Sequence, residues 1–285
     1  PQWEKYCFSL KTAHDAIKIK NHILKMFELA ELEQSSILRR RYLTFTVIGG
    51  GATGVEICGS ITDLIDSKFL SKYRNIRADD INVILIEAGN QLLTAFSKTS
   101  GKKAYDHLIN KKVTIKLNEP VKDIQNKLVR THKSDYQTFT IIWCASLKAS
   151  YDDLNNDIDK DKQGRIHVNQ FLALNKHENV YCIGDGAHAK DENNEPYPGL
   201  ASVAKQQGLF VANDLIKRYK KLKRKSFQYN DKGTMAIISK HNAIAEFKKK
   251  FLGSKSFHGK KGWFLWGFVH IYYVLSIKNK LSIFF

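Results

Sequence analysis

Cysteine is scarce, and none of it is paired by spacing. Cys7, Cys58, Cys144 and Cys182 are the four in 285 residues; no C-x-x-C occurs, and the last three fall in apolar strand or helix patterns. That argues against a disulfide framework or a thiolate metal site and reads as small buried hydrophobes in a reducing compartment. H-E-x-x-H, clustered metal ligands and a Ser-His-Asp order are all missing, so neither metal-assisted hydrolysis nor a serine nucleophile is indicated. Internal repeats and low-complexity tracts are absent as well, which argues against a solenoid. The apolar run at 262–277 falls short of the ~20 residues that a membrane-spanning helix needs. Acidic residues are outnumbered, 28 against 46 Lys and Arg, for a net charge of +18. The excess is spread along the chain without a recognised nucleic-acid motif, so no nucleic-acid partner is expected. At this length the chain holds about two domains and buries a sizeable core.

Against these absences stands one continuous run, TFTVIGGGATGVEICGSITDLI at 44–65. Phe45, Val47 and Ile48 read as a buried parallel strand, and Gly49, Gly51 and Gly54 follow at the spacing G-x-G-x-x-G. The first glycine permits a tight turn, the second lets backbone approach a pyrophosphate, and the third lets the helix pack closely on the sheet. Ala52 and Thr53 open that helix, whose N-terminus offers free N–H groups and positive dipole to phosphates. A second strand, INVILIEAG, ends in Glu87, where a carboxylate accepts hydrogen bonds from ribose hydroxyls and repels a 2′-phosphate, favouring NADH over NADPH. The interval from Gly54 to Glu87 exceeds the usual ~20 residues, and the excess is the basic insert DSKFLSKYRNIRADD.

Elsewhere the patterns are coarser. Residues 12–31 form an amphipathic helix with Ala16, Ile19, Ile23, Met26, Phe27 and Ala30 on one face, its docking partner lying later in the chain or outside it. After INVILIEAG come a helix over SKTSGKKAYDHLINKK, a strand VTIKL, a hairpin VKDIQNKLVR turning near Asn126, and a returning strand TIIWCAS, the pieces of a doubly wound sheet. NVYCIGDGAH ends a short strand at Gly184, which lets a ligand approach, and Asp185, which can accept from sugar or ribityl hydroxyls; an ordinary turn explains the same residues. In PYPGLASVAKQQGLFVANDLIKR a helix places Ala201, Ala204, Gly208 and Ala212 on a close-approach face, with the amides of Gln206 and Gln207 nearby. FQYNDKGTMAIISKHNAIAEF reads as two strands around a polar turn. Trp263, Trp266, Tyr272 and Tyr273, flanked by Lys260, Lys261, Lys278 and Lys280, match an interfacial anchor on an anionic membrane surface; a buried dimer-forming helix is the alternative.

The blocks GGGATGVEICGSITDL, LIEAGNQLLTAF, IIWCASLKAS, VYCIGDGAH, PYPGLASVAKQQG, YNDKGTMA and GFVHIYYVLSIKNKL, in this order, resemble type II NADH dehydrogenase, the single-subunit NADH:quinone oxidoreductase of respiratory membranes. The resemblance implies an α/β flavoprotein with two Rossmann-like, parallel-sheet dinucleotide-binding domains and a C-terminal membrane-associating segment. It implies FAD and NADH as cofactors, with hydride passing to the flavin and two electrons to a membrane quinone without proton pumping. Gly49, Gly51, Ala52, Thr53, Gly54, Glu87 and Ala145 would hold NADH. Glu56, in the G-V-E block, would lie near nicotinamide and flavin. Gly184, Asp185 and Ala204 would contact FAD, and Gln206 and Gln207 would sit near the isoalloxazine and the quinone. The implied domains are a remnant of the FAD domain at 1–42, the NADH domain at 43–147, the rest of the FAD domain at 148–218 and a membrane-associating region at 219–285. A peripheral location on the bacterial or mitochondrial inner membrane follows, with a homodimer left open. The family's N-terminal glycine motif for FAD has no counterpart here, so the expectation is an N-terminally truncated enzyme whose activity alone is open. Ser146 stands where the family usually has glycine, and Ser202 and Lys205 occupy positions that vary in the family, where a cation either changes quinone preference or merely points to solvent. Sulfide:quinone oxidoreductases share the layout but need paired redox cysteines. The reading from another class is a basic, NAD-binding regulatory or apoptosis-factor-like module.

Overall fold

The structure, a computed structural model, describes residues 3–65, 67–145, 158–249, 253–274 and 276–282. It forms two compact units, one from Pro1–Ala145 with Gly233–Phe285, the other from Ser146–Lys232.

The first unit is built on a five-stranded parallel sheet. β1 (Phe8–Ser9) precedes α1 (Ala13–Leu32) and α2 (Ser36–Tyr42); then come β2 (Thr44–Ile48), α3 (Ala52–Leu64), the short α4 (Ser67–Leu70), β3 (Asn82–Ile86), α5 (Lys98–Asn110) and β4 (Val113–Lys116). An antiparallel three-stranded sheet, β5 (Val121–Gln125), β6 (Leu128–Thr131) and β7 (Asp135–Gln137), intervenes before the chain returns as β8 (Thr140–Trp143). The order in the main sheet is β1-β8-β2-β3-β4, with every pairing parallel. Every residue of β2 is buried, as expected of a central strand covered on both faces. The hairpin turns at Asn126 and Lys127, both at positive φ, the geometry of a two-residue loop.

α1 starts at a capping box: Thr12 Oγ1 accepts the Asp15 N–H, and the Asp15 carboxylate accepts the Thr12 N–H. Its buried face is Ile19, Ile23, Met26, Phe27 and Ala30, close to the periodicity read from the sequence. The helix shares one core with Phe45, Val47 and Leu85 of the sheet, and the insert after α3 covers it. Phe27, fully buried, meets Phe69 edge-on at 4.9 Å and Tyr73 at 5.5 Å. Tyr73 also donates to Glu28, and the Arg74 and Asn75 N–H groups donate to Glu31. The segment that lengthens the path to Glu87 is therefore the partner α1 lacked on paper.

The described part of the second unit is small. β9 (Ile166–His167) pairs in parallel with β12 (Ala187–His188), and β10 (Ala173–Leu174) pairs antiparallel with β11 (His177–Tyr181), before α6 (Ala201–Tyr219). No second open parallel sheet is assembled among the described residues. Residues after α6 stay with this unit: Arg224 makes a two-pronged ion pair with the buried Asp214 carboxylate and lies 3.8 Å over the Phe171 ring.

From Gly233 the chain rejoins the first unit as an antiparallel sheet, β13 (Thr234–Ser239), β14 (Asn242–Lys249) and β15 (Gly253–Gly259), followed by α7 (Lys260–Tyr273) and α8 (Ile277–Ser282). The boundary between the two units falls at 232/233. Gly59 lets α3 meet β13, since a Cβ there would fall 1.6 Å from the Ile238 carbonyl oxygen. A buried carboxylate fixes the same sheet to α5: Glu246 accepts from the Ser97 N–H and from the hydroxyls of Ser97 and Ser100 at that helix's first turn. Among the described residues no helix is long and apolar enough to cross a membrane.

Candidate functional site

The glycine loop leaves β2 at the carboxyl edge of the sheet, and its three glycines have different reasons to be there. Gly49 sits at φ +109, where a Cβ would lie 2.7 Å from the Ala145 nitrogen at the end of β8. At Gly54 a Cβ would come within 1.8 Å of the Gly49 carbonyl oxygen. Both are forced by the chain's own packing. Gly51 is not: it caps α3 at φ −70, and a Cβ there would meet nothing within 4 Å. The first helical bond runs from the Val55 N–H to the Gly51 carbonyl, so the N–H groups of Ala52, Thr53 and Gly54 have no helical acceptor. Open space beside a glycine, in front of free N–H groups and a positive helix end, suits a phosphate.

Glu87 follows β3 directly and reaches this loop. Its Oε2 accepts the Gly50 N–H at 2.5 Å and its Oε1 the Gly89 N–H at 2.6 Å. Glu87 and the glycines, far apart in sequence because of the insert, are brought together as expected. Ala145 joins them through its approach to Gly49.

Glu56 lies on α3 two residues beyond the loop's last glycine. It is half-buried, and its Oε1 accepts the Ile237 N–H of β13 at 3.0 Å. Burial pushes its carboxyl above the usual range, opposed by that hydrogen bond and by the nearby His270 of α7. His270, stacked on Trp266 at 3.8 Å, was not singled out from the sequence; its helical spacing from Trp266 was legible, its proximity to α3 was not. Cys58 and Cys144 are free thiols, both pushed well up by burial, and therefore inert.

The second unit has a cleft of about 200 Å³ lined in part by Gly184, Asp185, Gln163, Arg165, Tyr197 and Gln207. Gly184 stands at φ +69 facing the Ala204 methyl, and the Gln207 side-chain oxygen accepts its N–H at 2.6 Å. Asp185 is exposed at the cleft. The two amides have different partners. Gln207 is buried against the Gly184 turn, whereas Gln206 clasps the backbone of Asn230 through both its amide atoms, at 2.9 Å each. Consecutive helical residues diverge by about 100°, which separates them. Ser202 bonds Tyr229 at 2.8 Å, Lys205 is exposed, and Ser146 lies outside the described residues.

Arg165 was also missed. It is held by Asp161, which accepts its Nε–H at 2.7 Å and lies 2.8 Å from His188 Nδ1. Burial alone would raise Asp161, but the hydrogen bonds of His188 and Arg165 hold it well below the usual carboxylate range. The D-x-x-G-R turn was the available signal.

Volume limits what each site can take. The cleft at Gly184 and Asp185 is below the ~300 Å³ lower end for drug-sized ligands, with the carboxylate of Asp185 exposed at its wall. At Gly51 a Cβ would meet nothing within 4 Å.

The family model for pyridine nucleotide-disulphide oxidoreductases matches residues 3–208. The type II NADH:quinone oxidoreductase Ndh of Mycobacterium tuberculosis is 30% identical over 287 residues, covering 96% of this chain and 59% of that protein. The type II NADH:quinone oxidoreductase of Staphylococcus aureus is 28% identical over 262 residues, covering 90% of this chain and 64% of its own length. This chain therefore spans about three fifths of these curated relatives. Among solved structures, NDH2 of Plasmodium falciparum in complex with NADH superposes with a TM-score of 0.85 at 20% identity, over 99% of this chain and 72% of that one, which shows a shared fold. The chain belongs to the pyridine nucleotide-disulphide oxidoreductase family and is a homologue of the type II NADH:quinone oxidoreductases.

Proposed function

We propose that this chain carries out NADH:quinone oxidoreduction at a membrane surface, with FAD as the relay and without proton pumping. The observation that carries the reading is the opening at Gly51, which no protein atom fills, with Glu87 held beside it. In this reading Gly51, Ala52, Thr53 and Gly54 receive the pyrophosphate of NADH, Gly49 and Ala145 shape the turn, and Glu87 binds the adenosine ribose. Gly184, Asp185 and Ala204 take the ribityl part of FAD, and Gln207 fixes that turn through the Gly184 N–H. Bound FAD would supply two-electron chemistry between nicotinamide and quinone. The buried Glu56 holds a proton more readily than an exposed glutamate and is assigned to proton delivery, with His270 tuning its charge. Gln206, clasped to Asn230, keeps residue 230 against α6.

Phe264, Phe268 and Tyr272 on α7 are 67%, 69% and 66% exposed, and lysines stand at both ends of the helix. Large exposed aromatics next to cations suit an anionic bilayer surface, where the quinone pool resides. The test is NADH oxidation by the FAD-supplemented full chain with a short-chain quinone in anionic vesicles. Quinone-dependent turnover supports the reading. Salt-sensitive DNA binding with no turnover would replace it with the basic NAD-binding module.

A further inference from the structure

Behind Glu87 lies a second carboxylate, in the connection between β4 and β5. Glu119 is 3% exposed, and its Oε1 accepts the hydroxyls of Thr131 on β6 and Tyr136 on β7, each at 2.7 Å. The segment that ends in Glu119 is laced onto the segment that begins with Glu87. The Glu87 N–H donates to the Lys116 carbonyl at 2.8 Å, the Asn118 N–H to the Gly89 carbonyl at 2.8 Å, and the Glu119 N–H to the Glu87 carbonyl at 3.0 Å. Asn118 holds a left-handed conformation at φ 51, which an asparagine tolerates, so this strap turns sharply just where it grips residues 87–89. At the other end the Glu87 carboxylate bridges the Gly50 and Gly89 N–H groups, and its aim depends on where Gly89 sits. A continuous path of hydrogen bonds thus runs from the β5-β6-β7 sheet through Glu119 and the strap to the Glu87 carboxylate.

We propose that Glu119 is a positioning residue for dinucleotide recognition: by tying residues 116–119 to Thr131 and Tyr136 it sets the aim of Glu87 and thereby the discrimination between NADH and its 2′-phosphorylated form. This rests on the reading of Gly51 and Glu87 as the NADH site. Removing the carboxylate takes the shared acceptor from the Tyr136 and Thr131 hydroxyls, leaves Thr131 only the Ser134 carbonyl, and releases the strap. Glu87 then turns away from a ribose, and what opposed a 2′-phosphate weakens.

The test titrates NADH and NADPH separately into the full chain and its variants by calorimetry, beside urea unfolding. Glu119→Ala is expected to weaken NADH about tenfold and NADPH less than about threefold, so that the preference between them falls. Glu119→Gln keeps an acceptor oxygen for both hydroxyls and should hold the preference within about threefold. Tyr136→Phe, a milder change that stands in if Glu119→Ala does not fold, should shift the preference in the same direction by about threefold. Glu246→Gln removes another buried carboxylate of the same unit and should lower stability without moving the preference. A folded Glu119→Ala or Tyr136→Phe that weakens both dinucleotides equally, or neither, overturns the inference alone. Failure of the unmodified chain to bind NADH overturns the loop reading and this inference with it.

Discussion

Replacing single glycines by alanine separates what the loop does for folding from what it does for binding. At Gly51 the backbone has an ordinary φ of −70, and the added methyl meets no protein atom within 4 Å. Loss of a glycine N-cap costs roughly 0.5–1 kcal/mol, and the smaller unfolded-state entropy returns roughly 0.4–1 kcal/mol. The stability of Gly51→Ala should therefore stay within about 0.5 kcal/mol of the parent. The same methyl stands where a pyrophosphate must approach the helix end, and NADH affinity should drop at least about tenfold, or ~1.4 kcal/mol. Gly54→Ala reverses the pattern, because its Cβ would be 1.8 Å from the Gly49 carbonyl oxygen. Backbone has to move, at a cost of about 3 kcal/mol or more. Gly59→Ala, whose Cβ would fall 1.6 Å from the Ile238 carbonyl oxygen, should cost as much through the α3–β13 packing alone. Urea unfolding and NADH fluorescence titration on the three variants give both numbers. Parental NADH affinity in a folded Gly51→Ala, or instability equal to that of Gly54→Ala, would refute the reasoning.

Three further outcomes follow from other contacts. Because burial raises the Glu56 carboxyl in the native state, its contribution to stability is full below the unfolded value of about 4.3 and is lost as pH rises through the native value. Glu56→Gln should remove this loss, so its stability relative to the parent should improve between pH 4 and pH 7 in thermal unfolding, with quinone reduction impaired. Glu246 has the opposite sign: burial would raise it, but hydrogen bonds from Ser100 and Ser97 outweigh that and hold it low. Its contribution is present above about pH 4.3 and is lost as pH falls through the native value. Glu246→Ala should cost about 1.5–3 kcal/mol at pH 7, with the difference from the parent shrinking in acid. Changing Phe264 and Phe268 together to serine should weaken sedimentation with anionic vesicles about tenfold or more, while leaving NADH titration as it was.

The sequence made the central sheet legible wherever periodicity and glycine spacing coincide. β2, the loop, α3 and β3 follow from one apolar run, three glycines and a second apolar run ending in Glu87. The strands it missed carry little periodic signal: β1 is two residues long, β7 is the polar Asp135–Gln137, and β15 runs through GSKSFHG. Their stability comes from neighbours, β1 from pairing with β8 and β15 from pairing with β14. The placement of α1 was out of reach for a related reason. Its amphipathic face was plain, but the partner was an insert whose Phe69 and Tyr73 reveal their role only when set against Phe27. At the candidate site, the ends of apolar strands pointed to Glu87 and Gly184. Spacing could not show that adjacent amides point apart, nor that Glu119 and His270, remote in sequence, stand behind residues the motifs had marked.

The central claim is that the loop after β2, with Glu87, receives NADH. Calorimetric titration of NADH and NADPH into the full chain, with and without Glu87→Ala, tests it most directly. The account predicts saturable one-to-one NADH binding, weaker NADPH binding, and a preference that falls at least about tenfold in the variant. No binding heat from a folded parent, or an unchanged preference in Glu87→Ala, would contradict it.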